Sequence, residues 1–267
     1  MNLKTIFTNI ASYFSPKAEN VMIYMGSAET YIRRENGDIM IIDSSIDLID
    51  KNGVIRVVTD ADRDDQISRR FKSRPINADM IVDFEGLNLF VQKIIQLISS
   101  EQRLHIHALI SNGTTKVEIR ALKDALFACK QIKKVSLTYK HIAAAVEFDK
   151  DTPIYLLDLE CYGDHKYHSV ELLKTENGHT TFSYRANFVN VDDIAPTIAE
   201  NMDDHKSPLY IMTNCTHIDE FRLRFEEQEV YNITLYPKYE LSMHGTAKMA
   251  NNPEKYKEFF VEYGQRK

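Results

Sequence analysis

The sequence lacks several features that assign a chain to a common class of protein. It has only three cysteines, Cys129, Cys161 and Cys215, which are far apart and odd in number. They therefore predict no disulfide framework, and a reducing cytoplasm is the expected compartment. The sequence also lacks an excess of positive charge. The formal net charge of −6 argues against a nucleic-acid partner, because such a partner requires a basic face.

Long apolar runs are missing as well. No segment reaches the uninterrupted length needed to span a bilayer. The N-terminus has no basic region followed by an apolar run, so no secretory signal is predicted. With 267 residues, the chain is long enough for one large domain or two ordinary domains with a real core. These observations predict a globular protein of the cytoplasm.

Glycine is scarce in the stretch where it would matter most. Residues 154–159 predict an apolar strand that carries Asp158 near its end, and residues 167–173 predict a second strand. A turn that holds a phosphate group is usually rich in glycine, because its backbone N–H groups must approach the anion closely. Here Gly163 stands among Glu160, Cys161, Tyr162, Asp164 and His165. The frame of an anion site is predicted, but its residues are bulky and acidic.

Residues 1–16 predict a separate amphipathic segment. Large apolar residues recur at helical spacing within 2–14, at Leu3, Ile6, Phe7, Ile10 and Phe14. Two interpretations remain open. The helix could lie in the membrane interface and hold the protein at the inner face of the membrane, or it could dock on the domain or fray. The polar face has few basic residues, so membrane contact depends on the apolar face alone.

The predicted strands and helices form a duplicated series. In the first half, strands near 21–25, 30–34 and 38–42 precede a helix at 86–99, a strand at 104–110, a helix capped by Thr115 and Glu118, a strand at 135–139 and a short helix at 141–146. In the second half, strands at 154–159, 167–173 and 180–186 precede a helix near 192–202, a strand at 209–212, a helix at 219–227, a strand at 231–235 and closing helices near 241–251 and 254–263.

This duplication predicts the fold class and the domain organisation. Two βββαβαβα units predict two α/β lobes of the RNase-H type, each with a mixed five-stranded sheet, which face one another across a cleft. The first lobe is predicted at 17–150, with a small insertion near 43–77, and the second lobe at 151–267.

Two groups of residues could bind a metal ion. His105 and His107 share one face of the strand at 104–110, but hydrogen-bonded or surface histidines are the simpler interpretation. Cys161, His165 and His168, with Asp164 beside them, could bind zinc. No fourth ligand has regular spacing, so solvent-facing polar residues are the simpler interpretation here too, and no metal site is predicted.

Six short motifs are spread along nearly the whole chain. In order, they are MGSAETYI (25–32), ADMIVDFEGLNLFVQKII (78–95), SNGTTKVEIRALKDA (111–125), AAAVE (143–147), MTNCTHIDEF (212–221) and HGTAKMANN (244–252). These motifs resemble those of the MreB family, the bacterial actin-like rod shape-determining proteins. Each match is weak alone, and the resemblance rests on their order and spacing. It implies an actin-like fold with a nucleotide cleft at Gly26, Ser27, Asp158, Gly163, Thr213 and Gly245.

The departures from the family pattern fall on the residues that carry its chemistry. The aspartate that works near the metal and phosphates is Tyr24 here, and the segment with the water-orienting carboxylate contains Lys140. The glycines that bind adenosine are replaced by Asn214, Cys215 and Thr216. The chain also has no room, between the third strand and the helix of the second lobe, for that lobe's outer subdomain.

These departures imply a scaffold that does not hydrolyse ATP. The expected partners are proteins of the cell-shape machinery or related actin-like filaments. No cofactor is expected, and ATP with magnesium is expected to bind weakly at most. Two alternatives stay open: a polymerising ATPase with an altered site, and a regulatory or ligand-binding module of the same fold.

Overall fold

The computed structural model describes residues 18–51, 53–58, 69–77, 80–98, 103–148, 152–162, 167–176, 179–215, 218–237 and 239–264. The predicted segment 1–16, including the helix within 2–14, and Gly163 lie outside these residues, as do Asp164 and His165. Among the helices of the described part, none is both long and apolar enough to cross a membrane.

The first half of the chain contains ten strands and three helices in its described ranges. The strands are β1 (Glu19–Met25), β2 (Glu29–Arg34), β3 (Ile39–Asp43), β4 (Ile46–Lys51), β5 (Val54–Val57), β6 (Arg69–Ser73), β7 (Ile76–Asn77), β8 (Met80–Ile81), β9 (Leu104–Ile110) and β10 (Ile132–Tyr139). The helices are α1 (Phe84–Ile98), α2 (Lys116–Phe127) and α3 (Lys140–Ala145).

The second half repeats much of this order. Its strands are β11 (Ile154–Tyr162), β12 (Tyr167–Glu176), β13 (His179–Phe188), β14 (Leu209–Thr213), β15 (Ile233–Pro237) and β16 (Val261–Gly264). Its helices are α4 (Ile194–Glu200), α5 (Ile218–Glu226) and α6 (Glu240–Asn251), with short 3-10 turns at Val191–Asp193 and Lys257–Phe259.

The two large sheets share one topology, which confirms the predicted duplication. The first has the order β16-β10-β9-β1-β2-β3, and the second has the order β13-β12-β11-β14-β15. In the first sheet, β1 pairs antiparallel with β2 and parallel with β9. In the second sheet, β11 pairs in the same way, antiparallel with β12 and parallel with β14. Parallel strands need a crossover connection, and the helices supply it. Each lobe is therefore built around one βββαβα core.

The local signals that predicted the first helices are also present. The apolar stripe of α1 is buried, at Leu87, Phe90, Val91, Ile94, Ile95 and Ile98. At the start of α2, the backbone N–H of Glu118 donates to Thr115 Oγ1 at 3.2 Å, and the Glu118 carboxylate accepts from the backbone N–H of Thr115 at 2.8 Å. This reciprocal pair is the predicted capping box.

The predicted helix at 254–263 is wrong. Residues 257–259 form a 3-10 turn, and β16 then adds to the first sheet antiparallel to β10, with Val135 opposite Tyr263. Without β16, β10 would be an edge strand with a row of unpaired backbone groups. Tyr256 and Phe260 are buried just before the strand and hold this segment against the sheet. Tertiary pairing therefore overrides the local helical pattern, and the first sheet has six strands rather than five.

The second lobe is simpler at its outer end than the first. β13 ends at Phe188 and α4 begins at Ile194, with only the short 3-10 turn between them. The predicted lack of an outer subdomain at this point is confirmed. In the first lobe the equivalent connection, between β3 and α1, contains a three-stranded sheet of order β5-β4-β6 and the small β7-β8 pair.

Helices α3 and α6 cross at very short range and join the lobes. A Cβ atom added to Gly245 in α6 would overlap the carbonyl oxygen of Ala143 in α3. Beside this contact, Ser242 Oγ donates to the carbonyl of Lys140, and Lys248 Nζ donates to the carbonyl of Val146, both at 2.8 Å. Glycine is required at the crossing because any side chain there would push the two backbones apart.

We expect Gly245→Ala to lower the free energy of unfolding by about 1–3 kcal/mol, the usual cost of overpacking a core. The added methyl group meets backbone atoms that cannot rotate away, and this cost exceeds the ~1 kcal/mol by which alanine favours a helix over glycine. Urea unfolding would measure it. His244→Ala, at the exposed neighbouring position in α6, is the control. A Gly245→Ala protein as stable as wild type would contradict the close crossing.

The two histidines predicted on one face of a strand lie side by side in β9. Their ring centroids are 4.0 Å apart. His105 Nε2 is 2.7 Å from Ser136 Oγ, and His107 Nε2 is 3.0 Å from Asn20 Oδ1. One ring nitrogen of each histidine therefore has a hydrogen-bond partner. Burial, with the nearby His105 and Lys134, lowers the pKa of His107 to about 3. Its Nδ1 atom is buried and has no hydrogen-bond partner among the described residues.

Because the pKa of His107 is lower in the folded protein than in the unfolded chain, its contribution to stability is complete above about pH 6.5. The unfolded state binds a proton that the folded state does not as the pH falls from 6.5 toward 3. We expect His107→Gln to make the loss of stability across this range shallower by up to about 1.4 kcal/mol per pH unit. Unfolding curves at several pH values measure it. His179→Gln, at an exposed position, is the control substitution.

Candidate site in the cleft between the lobes

A buried ion pair joins the two lobes at the centre of the cleft. Lys140, the first residue of α3, forms a salt bridge through Nζ with Asp158 Oδ2 of β11. The two side chains are 3% and 6% exposed. Asp158 is one of the predicted nucleotide-cleft residues, and Lys140 is the residue that the sequence comparison expects in place of a water-orienting carboxylate. The two opposite charges neutralise each other at the boundary between the lobes.

The pair belongs to a row of charged side chains on one face of the second sheet. Asp158 is opposite Glu171 of β12, and Glu171 is opposite Arg185 of β13, so the three side chains lie on the same face. Burial raises the pKa of Glu171, while Lys140 and Arg185 act to lower it. The Arg185 guanidinium lies against Gly113 of the first lobe, where a Cβ atom would overlap it. Two cations and two carboxyl groups thus bridge the lobes.

Aromatic rings fill the space beside the ion pair. Tyr24 of β1 packs on Tyr239 with ring centroids 3.7 Å apart, and Tyr31 meets Tyr239 edge-on at 4.8 Å. Lys140 Nζ lies 5.7 Å from the Tyr24 ring centroid. Tyr239 has a positive φ of 69°, a conformation that costs a non-glycine residue free energy. Tyr24 is 2% exposed and Tyr239 is 4% exposed.

The first predicted phosphate turn lies directly under this aromatic cluster. Gly26 and Ser27 connect β1 to β2, and the Gly26 N–H donates to the carbonyl of Glu29 at 3.0 Å. A Cβ atom on Gly26 would be 2.9 Å from the Tyr239 hydroxyl oxygen. The Ser27 carbonyl accepts from Arg74 Nη1 at 3.4 Å. The turn is tight, and the Tyr239 side chain covers it.

The second predicted phosphate turn is shorter than the sequence indicated. β11 continues to Tyr162, and its pairing with β12 includes Glu160 with Ser169 and Cys161 with His168. The backbone N–H and carbonyl of Cys161 bond to the Asn214 side chain, so they are not free to cradle an anion. The expectation that these side chains face solvent is also wrong, because Glu160, Cys161 and His168 are all buried.

Of the remaining predicted site residues, Thr213 and Gly245 take no part in the ion pair. Thr213 ends β14, and its Oγ1 accepts from the backbone N–H of Cys215 at 3.0 Å. Gly245 lies at the crossing of α3 and α6, where it brings the helices together. The structure therefore brings Gly26 and Asp158 to the centre of the cleft with Tyr24, Lys140 and Tyr239. Sequence reasoning missed Tyr239 because no periodic pattern marks a ring presented by a left-handed turn.

An open pocket of about 540 Å³ lies between the lobes near Thr213. Its lining includes Glu29 from the first lobe and Asn214 and Asp219 from the second. Two lining residues are acidic, and none of the described lining residues is basic. The charge of this pocket therefore opposes a triphosphate, although its volume would admit a small molecule.

The cysteines are closer than the sequence suggested. Cys161 and Cys215 are joined by a disulfide, although they are 54 residues apart in the chain. β11 and β14 are parallel with Leu159 opposite Thr213, and this register carries the two cysteines to the same place. The expectation that the cysteines form no disulfide is therefore wrong. The strand register, extended by two residues, is the signal that would have found the pair.

No protein-family model and no curated protein matches this sequence. Solved structures do match. MreB5 of Spiroplasma citri bound to ADP superposes with a TM-score of 0.64 at 11% identity, over 91% of this chain and 99% of that chain. The AlfA filament bound to AMPPNP gives a TM-score of 0.56 at 12% identity, over 92% of this chain and 100% of that chain.

The chain has an actin-like fold. A third similar structure is the ethanolamine utilization protein EutJ from Carboxydothermus hydrogenoformans, with a TM-score of 0.52 at 13% identity, over 87% of this chain and 89% of that chain. The actin-like fold predicted from the duplicated strand order and the MreB-like motifs is thus confirmed.

We expect Lys140→Met to lower the free energy of unfolding by about 3–5 kcal/mol, since it leaves the Asp158 carboxylate buried without its partner. Asp158→Leu should cost a similar amount. The double variant should lose much less than the sum, because it removes both charges together. Chemical denaturation of the four proteins measures this coupling. Arg120→Met, which breaks an exposed ion pair with Asp124, should change stability by less than about 1 kcal/mol. Additive losses at 140 and 158 would show that the pair does not form.

Proposed function

We propose that this protein is a non-hydrolysing, actin-fold scaffold of a bacterial cell-shape or cytoskeletal system. The observation that carries the proposal is the buried pair of Lys140 and Asp158 in the cleft. A carboxylate that is already in direct contact with a lysine ammonium group is poorly placed to hold a magnesium ion through its water shell. The scaffold acts through the protein partners that it binds.

The chemistry of the neighbouring residues supports the same proposal. Phosphoryl transfer depends on positioning and on the electrostatic stabilisation of the phosphates by metal ions and backbone donors. Tyr24 is a poor ligand for magnesium, which prefers carboxylates and water. Lys140, when protonated, has no acceptor atom with which to orient an attacking water. The backbone N–H of Cys161, near the end of β11, already donates to the Asn214 side chain and is not available to a phosphate group.

The partners are expected to be filaments or components of filaments. The AlfA structure is a filament, so self-association or attachment to a related actin-like filament is the interaction that this fold favours. The second lobe has no outer subdomain between β13 and α4, so the surface available for a longitudinal filament contact is smaller. A lateral or terminal attachment is therefore favoured over a full longitudinal interface. Peripheral membrane contact through residues 2–14 remains a proposal from the sequence, as does a cytoplasmic location.

A second candidate is a nucleotide-dependent polymer. The MreB5 and AlfA structures were solved with ADP or AMPPNP bound, and the open pocket beside Thr213 and Asn214 has room for a base or a sugar. If this candidate is correct, the ion pair must open when nucleotide binds. A regulatory module that binds another small ligand in this pocket is the remaining alternative. The described lining residues include no basic side chain, which would suit a neutral or cationic ligand.

We expect no magnesium-dependent ATP hydrolysis above background and weak or undetectable ATP binding. Removing one well-placed electrostatic group commonly costs ~10²–10³ in rate, and several are replaced here. Tyr24→Asp alone should not restore turnover, since Lys140 still neutralises Asp158. Phosphate release and calorimetric titration with ATP and magnesium measure the two quantities.

The polymerising ATPase makes the opposite prediction. Wild-type protein would then hydrolyse ATP with magnesium, form sedimentable filaments with nucleotide, and lose both properties in Asp158→Ala. Asp124→Ala, which removes an exposed carboxylate from α2, would keep them. That set of results would overturn the scaffold proposal.

A further inference from the structure

A second cluster of reactive side chains lies in the second lobe, away from the ion pair. Cys161, His168 and Cys215 are all buried, and one ligand atom from each lies within 4.8 Å of the others. Side chains alternate along a strand, so Cys161 and Asp158 point to opposite faces of β11. The cluster therefore faces α4 and α5, whereas the ion pair faces the first lobe. Nothing in the proposed function uses it.

The fold holds the three residues in place through the backbone. Cys161 and His168 are opposite each other in the β11–β12 ladder, and Cys161 Sγ is 3.2 Å from His168 Nδ1. The Asn214 side chain bonds to both backbone groups of Cys161, accepting from its N–H at 2.8 Å and donating to its carbonyl at 3.1 Å. This clamp fixes the position of the neighbouring Cys215 relative to β11. A site whose ligands are positioned by strands and by supporting hydrogen bonds is preorganised.

The donor set is one that zinc prefers. Zinc binds thiolate sulfur at about 2.3 Å and imidazole nitrogen at about 2.0–2.1 Å, and sites with two cysteines and one histidine keep a fourth position for water or another ligand. In a tetrahedral site the two sulfurs stand about 3.8 Å apart, which follows from that bond length. Small side-chain rotations at Cys161 and Cys215 would reach this spacing once the disulfide is reduced. A disulfide alone would not need a histidine nitrogen directed at its sulfur.

We propose that the reduced cluster binds one zinc ion through Cys161 Sγ, Cys215 Sγ and His168 Nδ1, and that the disulfide is its oxidised, metal-free form. A cellular dithiol supplies two electrons and two protons that break the S–S bond, and it becomes a disulfide itself. Zinc then displaces the two thiol protons and binds two thiolates and the neutral imidazole, with water as the fourth ligand. Neither Lys140 nor Asp158 of the ion pair takes part in this site.

Cobalt titration of the fully reduced, chelator-treated protein tests the site, because thiolate-bound Co²⁺ has an intense near-ultraviolet charge-transfer band. We expect one Co²⁺ per chain, displaced by one Zn²⁺. Cys161→Ser and Cys215→Ser should each abolish the band, and His168→Gln should weaken binding about tenfold or more. Cys129→Ser is the matched control, since Cys129 is a buried free cysteine of the first lobe.

Thiol counting tests the other half of the proposal. After denaturation, the oxidised protein should react at Cys129 alone and the reduced protein at all three cysteines. The proposal is overturned if the reduced wild type, shown by circular dichroism to be folded, has no charge-transfer band. It is also overturned if His168→Gln binds cobalt as tightly as wild type. Three reactive thiols in metal-free protein that has been treated with an oxidant would overturn it as well. Circular dichroism also checks that each variant is folded.

Discussion

The burial of two opposite charges at the lobe boundary is the constraint on which the rest of the cleft depends. Moving Lys140 and Asp158 out of water is costly, and their mutual attraction helps to offset that cost. The lobes must therefore stay close enough to keep water away from the pair. The crossing of α3 and α6 at Gly245 provides this closeness, and the contact of Arg185 with Gly113 extends it along the sheet.

Closure of the cleft has a consequence for motion. Proteins with two lobes commonly change the angle between them when a ligand binds, and the residues at the boundary absorb that change. Here any opening must hydrate the ion pair and separate the Tyr24 and Tyr239 rings. A ligand that opened the cleft would have to supply differential affinity at least as large as that cost. The ion pair and the packed rings therefore both favour the closed arrangement.

Much of the fold could be predicted from local patterns in the sequence. The apolar stripe of α1, the capping box of α2 and the repeated strand order each depend on spacing within a short window, so they were predictable. β16 was not, because its conformation is decided by the edge of β10, more than a hundred residues away along the chain. The disulfide was missed for a similar reason, since it depends on the register between β11 and β14. Of the site, Tyr24, Lys140 and Asp158 were identified singly, but their contact needed the structure.

The ion pair also limits how this sequence can change over time. A typical domain is stable by about 5–15 kcal/mol, so the loss of one partner from a buried pair removes a large fraction of that margin. Neutral drift at either position is thereby blocked unless the other changes in the same lineage before the weakened intermediate is lost. Positions 140 and 158 should consequently vary together among descendants of this chain. Such covariation would reflect the fact that neither residue can change without leaving the other as an unpaired buried charge.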